Sequence, residues 1–181
     1  KLMKHTRISE RGFDKMGTRK IPVEELTKEN FGNYGEIIDP FDQEPIIKED
    51  VFTFWNDLGT MNIKDKLDFA YLNVIHRDNI YKTLERHEET SEAFIAIDND
   101  CILVVTLNKN SKPDLETVKA FRLEAGKGFI VYPNTWHWLP YPLKDDANLL
   151  LLSQKNTLDN DLEKVDLEKE LNTTLKIDLS F

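Results

Sequence analysis

The chain has 181 residues, of which 40% are apolar, with ten Phe and three Trp; that is enough for one well-built core and excludes wholesale disorder. Its 33 Asp/Glu outnumber 24 Lys/Arg for a net charge of −9, which argues against a nucleic-acid or anionic-membrane partner. One cysteine, Cys101, excludes an internal disulfide framework. With no apolar run of membrane-spanning length and no signal-like segment, the sequence predicts a soluble, cytoplasmic protein.

Residues 1–20 carry seven Lys/Arg against Glu10 and Asp14, a net of +5, so the remaining 161 residues carry −14. The segment contains acids and lacks a helical apolar stripe. It reads as a loosely ordered basic arm, with a single domain over 21–181. Leu26–Phe31 predicts a short helix with Thr27 as N-cap and Asn30 at the capping-box position. Glu36–Asp39 predicts a strand stopped by Pro40, and 40–66 a long polar excursion.

Short apolar runs then recur between turn residues. They are Phe69–Ile75, Ala93–Ile97, Ile102–Leu107, Thr117–Leu123, Gly128–Tyr132 and Leu149–Ser153. Such spacing predicts an all-β barrel or sandwich with a few short helices, not alternating β and α units. Leu158, Leu162, Val165 and Leu171 predict a loose helical stripe, and the alternation Leu175, Ile177, Leu179, Phe181 predicts a closing strand.

Four histidines are present: His5, in the arm, and His76, His87 and His137. In Glu85-Arg86-His87, residues two apart share a strand face, and Glu92 opens the next strand after a turn at 88–91. His87 and Glu92 can therefore converge on one point. His137 follows a strand that ends at Pro133. Two His and one carboxylate form a set that first-row divalent metals accept while leaving positions open for substrate. Structural or surface histidines are the alternative. Glu85 is a further metal or proton-transfer candidate, or else a solvated acid like Glu88 and Glu89. Arg77 can clamp a substrate carboxylate or form a rim ion pair. Lys119 alternates with Phe121 and either reaches the same cavity or faces solvent. Trp136 and Trp138, on the face opposite His137, suit core or dimer packing.

Glu85-x-His87-x4-Glu92-x-Phe94, followed by Gly128, Pro133 and His137, resembles the two motifs of the cupin superfamily, with Glu85 at the first His position. That resemblance implies a small β-barrel (double-stranded β-helix, or jelly roll) with a central site. A narrower likeness runs through Leu26–Ile38, Leu84-Glu85-Arg86-His87 with Ala93-Phe94-Ile95, Lys112–Phe121 and Asn134-Thr135-Trp136-His137. In this order the four blocks resemble the ureidoglycolate lyase (ureidoglycolate hydrolase) family. The chain departs from that pattern at Glu92, where a Gln often stands, and after His137, where Trp138-Leu139-Pro140 follows.

The resemblance implies a carbon–nitrogen lyase of the amidine-lyase type that cleaves ureidoglycolate to glyoxylate and urea in allantoin breakdown. On it, His87, Glu92 and His137 hold a divalent nickel, manganese or zinc ion, Glu85 assists or transfers protons, and Arg77 and Lys119 bind the carboxylate substrate. It also implies a homodimer, for which Trp136, Trp138 and the closing strand offer apolar surface. Two other readings remain: a metal cupin acting on another small hydroxy or keto acid or a sugar, and a non-catalytic ligand-binding cupin.

Overall fold

Period-two alternation in short β-rich runs builds two facing sheets in the computed structural model, which describes residues 17–180. The larger sheet runs, neighbour to neighbour, through Glu163–Asp166, Thr83–Arg86, Trp136–His137, Cys101–Thr106, Lys119–Leu123, Gly17–Glu25, Thr173–Asp178 and Ile80–Tyr81. The smaller runs through Gly35–Ile38, Gly128–Val131, Glu92–Ala96, Ala147–Gln154 and Leu67–Val74. Three short helices complete the all-β fold: Lys28–Phe31, Thr157–Asn160 and Leu167–Leu171. Among the described residues no helix is long and apolar enough to cross a membrane.

Cys101–Thr106 shows how one strand serves two cores. Every residue in it is buried. Cys101, Leu103 and Val105 point between the sheets, where they meet Phe94, Phe121, Phe129 and Leu149. Ile102 and Val104 point to the other side, into a second cluster with Trp136, Tyr141, Leu175 and Ile177. A strand apolar on both faces reads as a continuous run, as the segment does. Burial leaves the Cys101 thiol buried and neutral, its pKa pushed up to about 12, so it serves as a small apolar side chain.

Local chemistry fixes the ends of these elements. The Thr27 hydroxyl accepts from the Asn30 N–H at 3.3 Å, and the Asn30 side-chain oxygen accepts from the Thr27 N–H at 2.9 Å, which closes the capping box. The helix so capped buries Phe31 across the end of the barrel, edge-on to Phe121 at 5.3 Å. Burying such a ring contributes roughly 1.5–3 kcal/mol. At Gly35 a Cβ would stand 1.9 Å from the Ile130 carbonyl oxygen, so the close pairing of Gly35–Ile38 with Gly128–Val131 demands glycine there.

The structure corrects three expectations. Residues 17–20, assigned to the basic arm, begin the strand Gly17–Glu25, which pairs in parallel with both Thr173–Asp178 and Lys119–Leu123; the rest of that arm, with His5, lies outside the described residues. The helical stripe at 158–171 is two short helices separated by the strand Glu163–Asp166, which carries Val165 into the second core. Leu179 lies beyond the end of the closing strand Thr173–Asp178, and Phe181 falls outside the described residues.

Candidate functional site

Three strands deliver the central residues. His87 directly follows Thr83–Arg86, and Glu92 opens Glu92–Ala96 after a tight connection. His137 ends Trp136–His137, opposite Glu85 on one side and Val105 on the other. All three side chains are buried, and one ligand atom from each lies within 4.8 Å of the others. His137 Nε2 is 3.2 Å and His87 Nε2 3.6 Å from the same Glu92 oxygen, and the two rings are 5.6 Å apart.

Hydrogen bonding fixes which ring atoms face this point. His87 Nδ1 is 2.7 Å from the Asp161 carbonyl oxygen, and His137 Nδ1 is 2.9 Å from the Thr135 carbonyl oxygen. A carbonyl only accepts, so both Nδ1 atoms carry the hydrogen and both Nε2 atoms of neutral rings present lone pairs. Among the described residues, the buried His87 Nε2 has no hydrogen-bond partner. Two imidazole lone pairs and a carboxylate oxygen therefore face one another, an arrangement that needs a proton or a cation between them.

The electrostatics point the same way. Burial would push the Glu92 carboxyl up, but the facing His137 and His87 rings outweigh it and hold the carboxyl down at about 2. Burial would likewise push His87 down; the Glu92 carboxylate, then the Asp161 carbonyl and Glu85, outweigh it and raise it. Nitrogen and carboxylate donors in this combination fit a divalent first-row metal ion, and the carbonyls behind both rings orient them for it.

Asp161 was not legible in the sequence as a site residue. Besides accepting from His87 through its backbone, its carboxylate accepts the Glu88 N–H at 2.8 Å, the Glu89 N–H at 3.1 Å and the Thr90 hydroxyl at 2.7 Å. It thereby holds the whole turn between His87 and Glu92. Asn134 holds the turn from its other side, donating its N–H to the His87 carbonyl at 2.7 Å and its side-chain amide to the Glu88 carbonyl at 3.1 Å. Its φ of 68° is the left-handed conformation that Asn tolerates better than most residues.

The remaining sequence candidates lie around this trio. Glu85 is buried and stands outside it, opposite His137 in the ladder, so the two side chains share the inward face. Its carboxylate is 3.5 Å from Lys164 Nζ. Lys119 lies opposite Val105, which lies opposite His137, so Lys119, Val105, His137 and Glu85 form one inward row. At about 4.8 Å per strand, Lys119 begins roughly 10 Å from His137. Its ammonium pairs with Glu24 and is partly exposed. Arg77 donates to the carbonyls of Leu139 at 3.0 Å and Pro140 at 3.2 Å, and lies 5.9 Å from the rings of Tyr81 and Tyr141. It staples a turn. Trp136 is packed in the second core beneath Arg86, and Trp138 is half-buried beneath Lys164.

The family model for ureidoglycolate lyase matches residues 18–174. Ureidoglycolate lyases of Escherichia coli (strain K12) and Shigella boydii serotype 18 (strain CDC 3083-94 / BS512) are each 26% identical to the chain over 157 residues, 84% of this chain and 98% of theirs. Similar solved structures include a dTDP sugar isomerase from Desulfovibrio desulfuricans G20, at 12% identity and a TM-score of 0.45 over 63% of this chain and 73% of that one. An oxalate decarboxylase from Lactobacillus farciminis is similar at 14% identity and a TM-score of 0.40, over 59% of this chain and 28% of that one.

Proposed function

The chain belongs to the ureidoglycolate lyase family, and from that premise we propose that it cleaves ureidoglycolate to glyoxylate and urea as a metal-dependent amidine-lyase. The observation that carries this reading is the convergence of His87 Nε2, His137 Nε2 and a Glu92 oxygen, with both histidine tautomers set by backbone carbonyls.

The substrate carbon bears a hydroxyl, a carboxylate and a urea nitrogen. Cleavage removes the hydroxyl proton as the carbonyl forms, breaks C–N, and returns a proton to the departing nitrogen. His87, Glu92 and His137 would hold the divalent ion, which supplies Lewis acidity toward the substrate's hydroxyl and carboxylate oxygens. Glu85, next to His137 on the inward face and held by Lys164, takes the hydroxyl proton and delivers it to the urea nitrogen. Lys119, on the other side of His137 in the same row, attracts the substrate carboxylate. Arg77 is already committed to the Leu139 and Pro140 carbonyls, so its part is to hold the turn that follows His137 and Trp138.

The test is turnover. Purified protein supplied with nickel, manganese or zinc is expected to release urea and glyoxylate in equal amounts from ureidoglycolate, and the Glu85→Gln variant to bind the same metal with kcat lowered about 100-fold or more. A metal-loaded protein that leaves ureidoglycolate intact but converts another small hydroxy or keto acid would overturn the substrate. A protein that binds none of the three metals would overturn the whole reading.

A further inference from the structure

Beyond the three central side chains, the inner face of the smaller sheet carries two more polar groups, and the ladders place them. Glu92 lies opposite Val131, and Leu152 lies opposite Ala93, so the next pair along that ladder sets Ser153 beside Glu92. Ser153 in turn lies opposite Asp68. Residues directly opposite share a face, so Val131, Glu92, Ser153 and Asp68 form one inner row. Leu149 and Leu151, on the same face of the strand as Ser153, pack in the core between the sheets. In the larger sheet the row Lys119, Val105, His137, Glu85 continues to Lys164, which lies opposite Glu85.

The two rows run in the same direction. Phe31 bridges their first ends, 6.1 Å from Phe129 in the strand of Val131 and 5.3 Å from Phe121 in the strand of Lys119. In mid-row Glu92 meets His137 at 3.2 Å. Ser153 therefore comes next on the side of Glu85, and Asp68 on the side of Lys164. Burial falls off along this direction: Leu149 is fully buried, Leu151 is half-buried, and Ala70, opposite Leu151, is exposed. Lys164 is 51% exposed. Both rows end on strands at the edges of their sheets, so the inner face is open to solvent on this side. Ser153 is half-buried there, and its hydroxyl has no hydrogen-bond partner among the described residues.

If the site cleaves ureidoglycolate, this uncommitted hydroxyl meets a need that the other groups leave open. The substrate's hydroxyl and carboxylate lie at the ion and toward Lys119, and the C–N bond lies at Glu85. The ureido tail beyond that bond then extends away from Lys119, toward the open side and past Ser153, which stands about 4.8 Å from Glu92 across one strand spacing. The tail presents a carbonyl oxygen that accepts and N–H groups that donate, and a serine hydroxyl can answer either.

Resting on that reading, we propose that Ser153 recognises the ureido tail, its hydroxyl donating to the urea carbonyl oxygen, so that the site selects N-carbamoyl acids over hydroxy acids without a tail. Calorimetric titration of the metal-loaded full chain with two probes tests this. N-carbamoylglycine has the carboxylate and the tail but no hydroxyl, and so is not cleaved; glycolate has the carboxylate and the hydroxyl but no tail. Ser153→Ala is expected to weaken N-carbamoylglycine about 5- to 10-fold, the loss of one hydrogen bond, and to raise KM for ureidoglycolate by a similar factor. Affinity for glycolate and for the metal should stay within about twofold, with an unchanged circular-dichroism spectrum. Equal weakening of both probes, or unchanged binding of N-carbamoylglycine, overturns the proposal. Wild-type protein that binds glycolate but not N-carbamoylglycine overturns it too, and leaves the metal centre standing. Wild-type protein that takes up metal yet binds neither probe overturns the ureidoglycolate reading beneath it.

Discussion

Two groups of polar and aromatic side chains lie within this fold, and they are built on opposite principles. At the rim, His76, Arg77, Tyr81 and Tyr141 form a closed account of donors and acceptors. Arg77 gives its hydrogens to three carbonyls, the Tyr81 hydroxyl donates to the Leu139 carbonyl at 3.2 Å, and the Tyr141 hydroxyl meets His76 Nε2 at 3.2 Å. At the centre, His87, Glu92 and His137 face acceptor to acceptor. The first arrangement holds structure together without help. The second is costly unless something positive sits within it, and that difference, more than the residue types, marks where function lies.

Removing a residue from each group should separate the two. His137→Ala takes one of three ligands, and metal affinity is expected to fall by more than about 100-fold, with turnover lost and the melting curve of the metal-free protein nearly unmoved. Titration calorimetry beside a thermal melt checks both halves. Glu85→Gln should leave metal affinity within about threefold while lowering kcat by roughly 100- to 10,000-fold. Loss of metal in that variant would make Glu85 a ligand instead. Asp161→Ala keeps the carbonyl that orients His87 but frees the 88–90 turn, so a 10- to 100-fold loss of metal affinity is expected. At the rim, Arg77→Leu should cost about 1–3 kcal/mol of stability and leave metal affinity unchanged. Equal loss of metal in the Arg77 variant would erase the contrast between the groups.

The pH dependence sharpens it further. Glu92 has its carboxyl lowered to about 2, so the stability it contributes is present above its ordinary value of 4.5 and is lost as pH falls toward 2. His87 is raised, so its contribution is complete below 6.5 and is lost as pH rises through the raised value. The metal-free site is thus steadiest between about 4.5 and 6.5. Metal needs the deprotonated rings, so the gain in melting temperature on adding metal should grow from pH 5 to pH 8.

Much of this was legible because the chemistry is local. The capping box at Thr27 and Asn30 is written in four residues, and His87 to Glu92 spans a single turn between strands, so strand periodicity alone brings them together. The approach of His137 rests on a longer pattern, 45 positions on from Glu92, and the motif order supplied it. What the sequence concealed acts at a distance. Asp161 reaches His87 across 74 residues through a backbone atom, and Arg77 reaches the Leu139 carbonyl across 62; neither link has a residue-type signature. Gly17–Lys20 looks like a solvated basic tail because its strand is fixed by parallel partners more than 90 residues away, not by its own pattern.

Metal titration of the purified full chain addresses the centre most directly. The chain, stripped with chelator and titrated with nickel, manganese or zinc at pH 7.5, should bind one equivalent of at least one of them, and His137→Ala should bind none at the same concentrations. Wild-type protein that binds no metal, or a His137→Ala variant that binds as tightly as wild type, would contradict a metal centre at His87, Glu92 and His137.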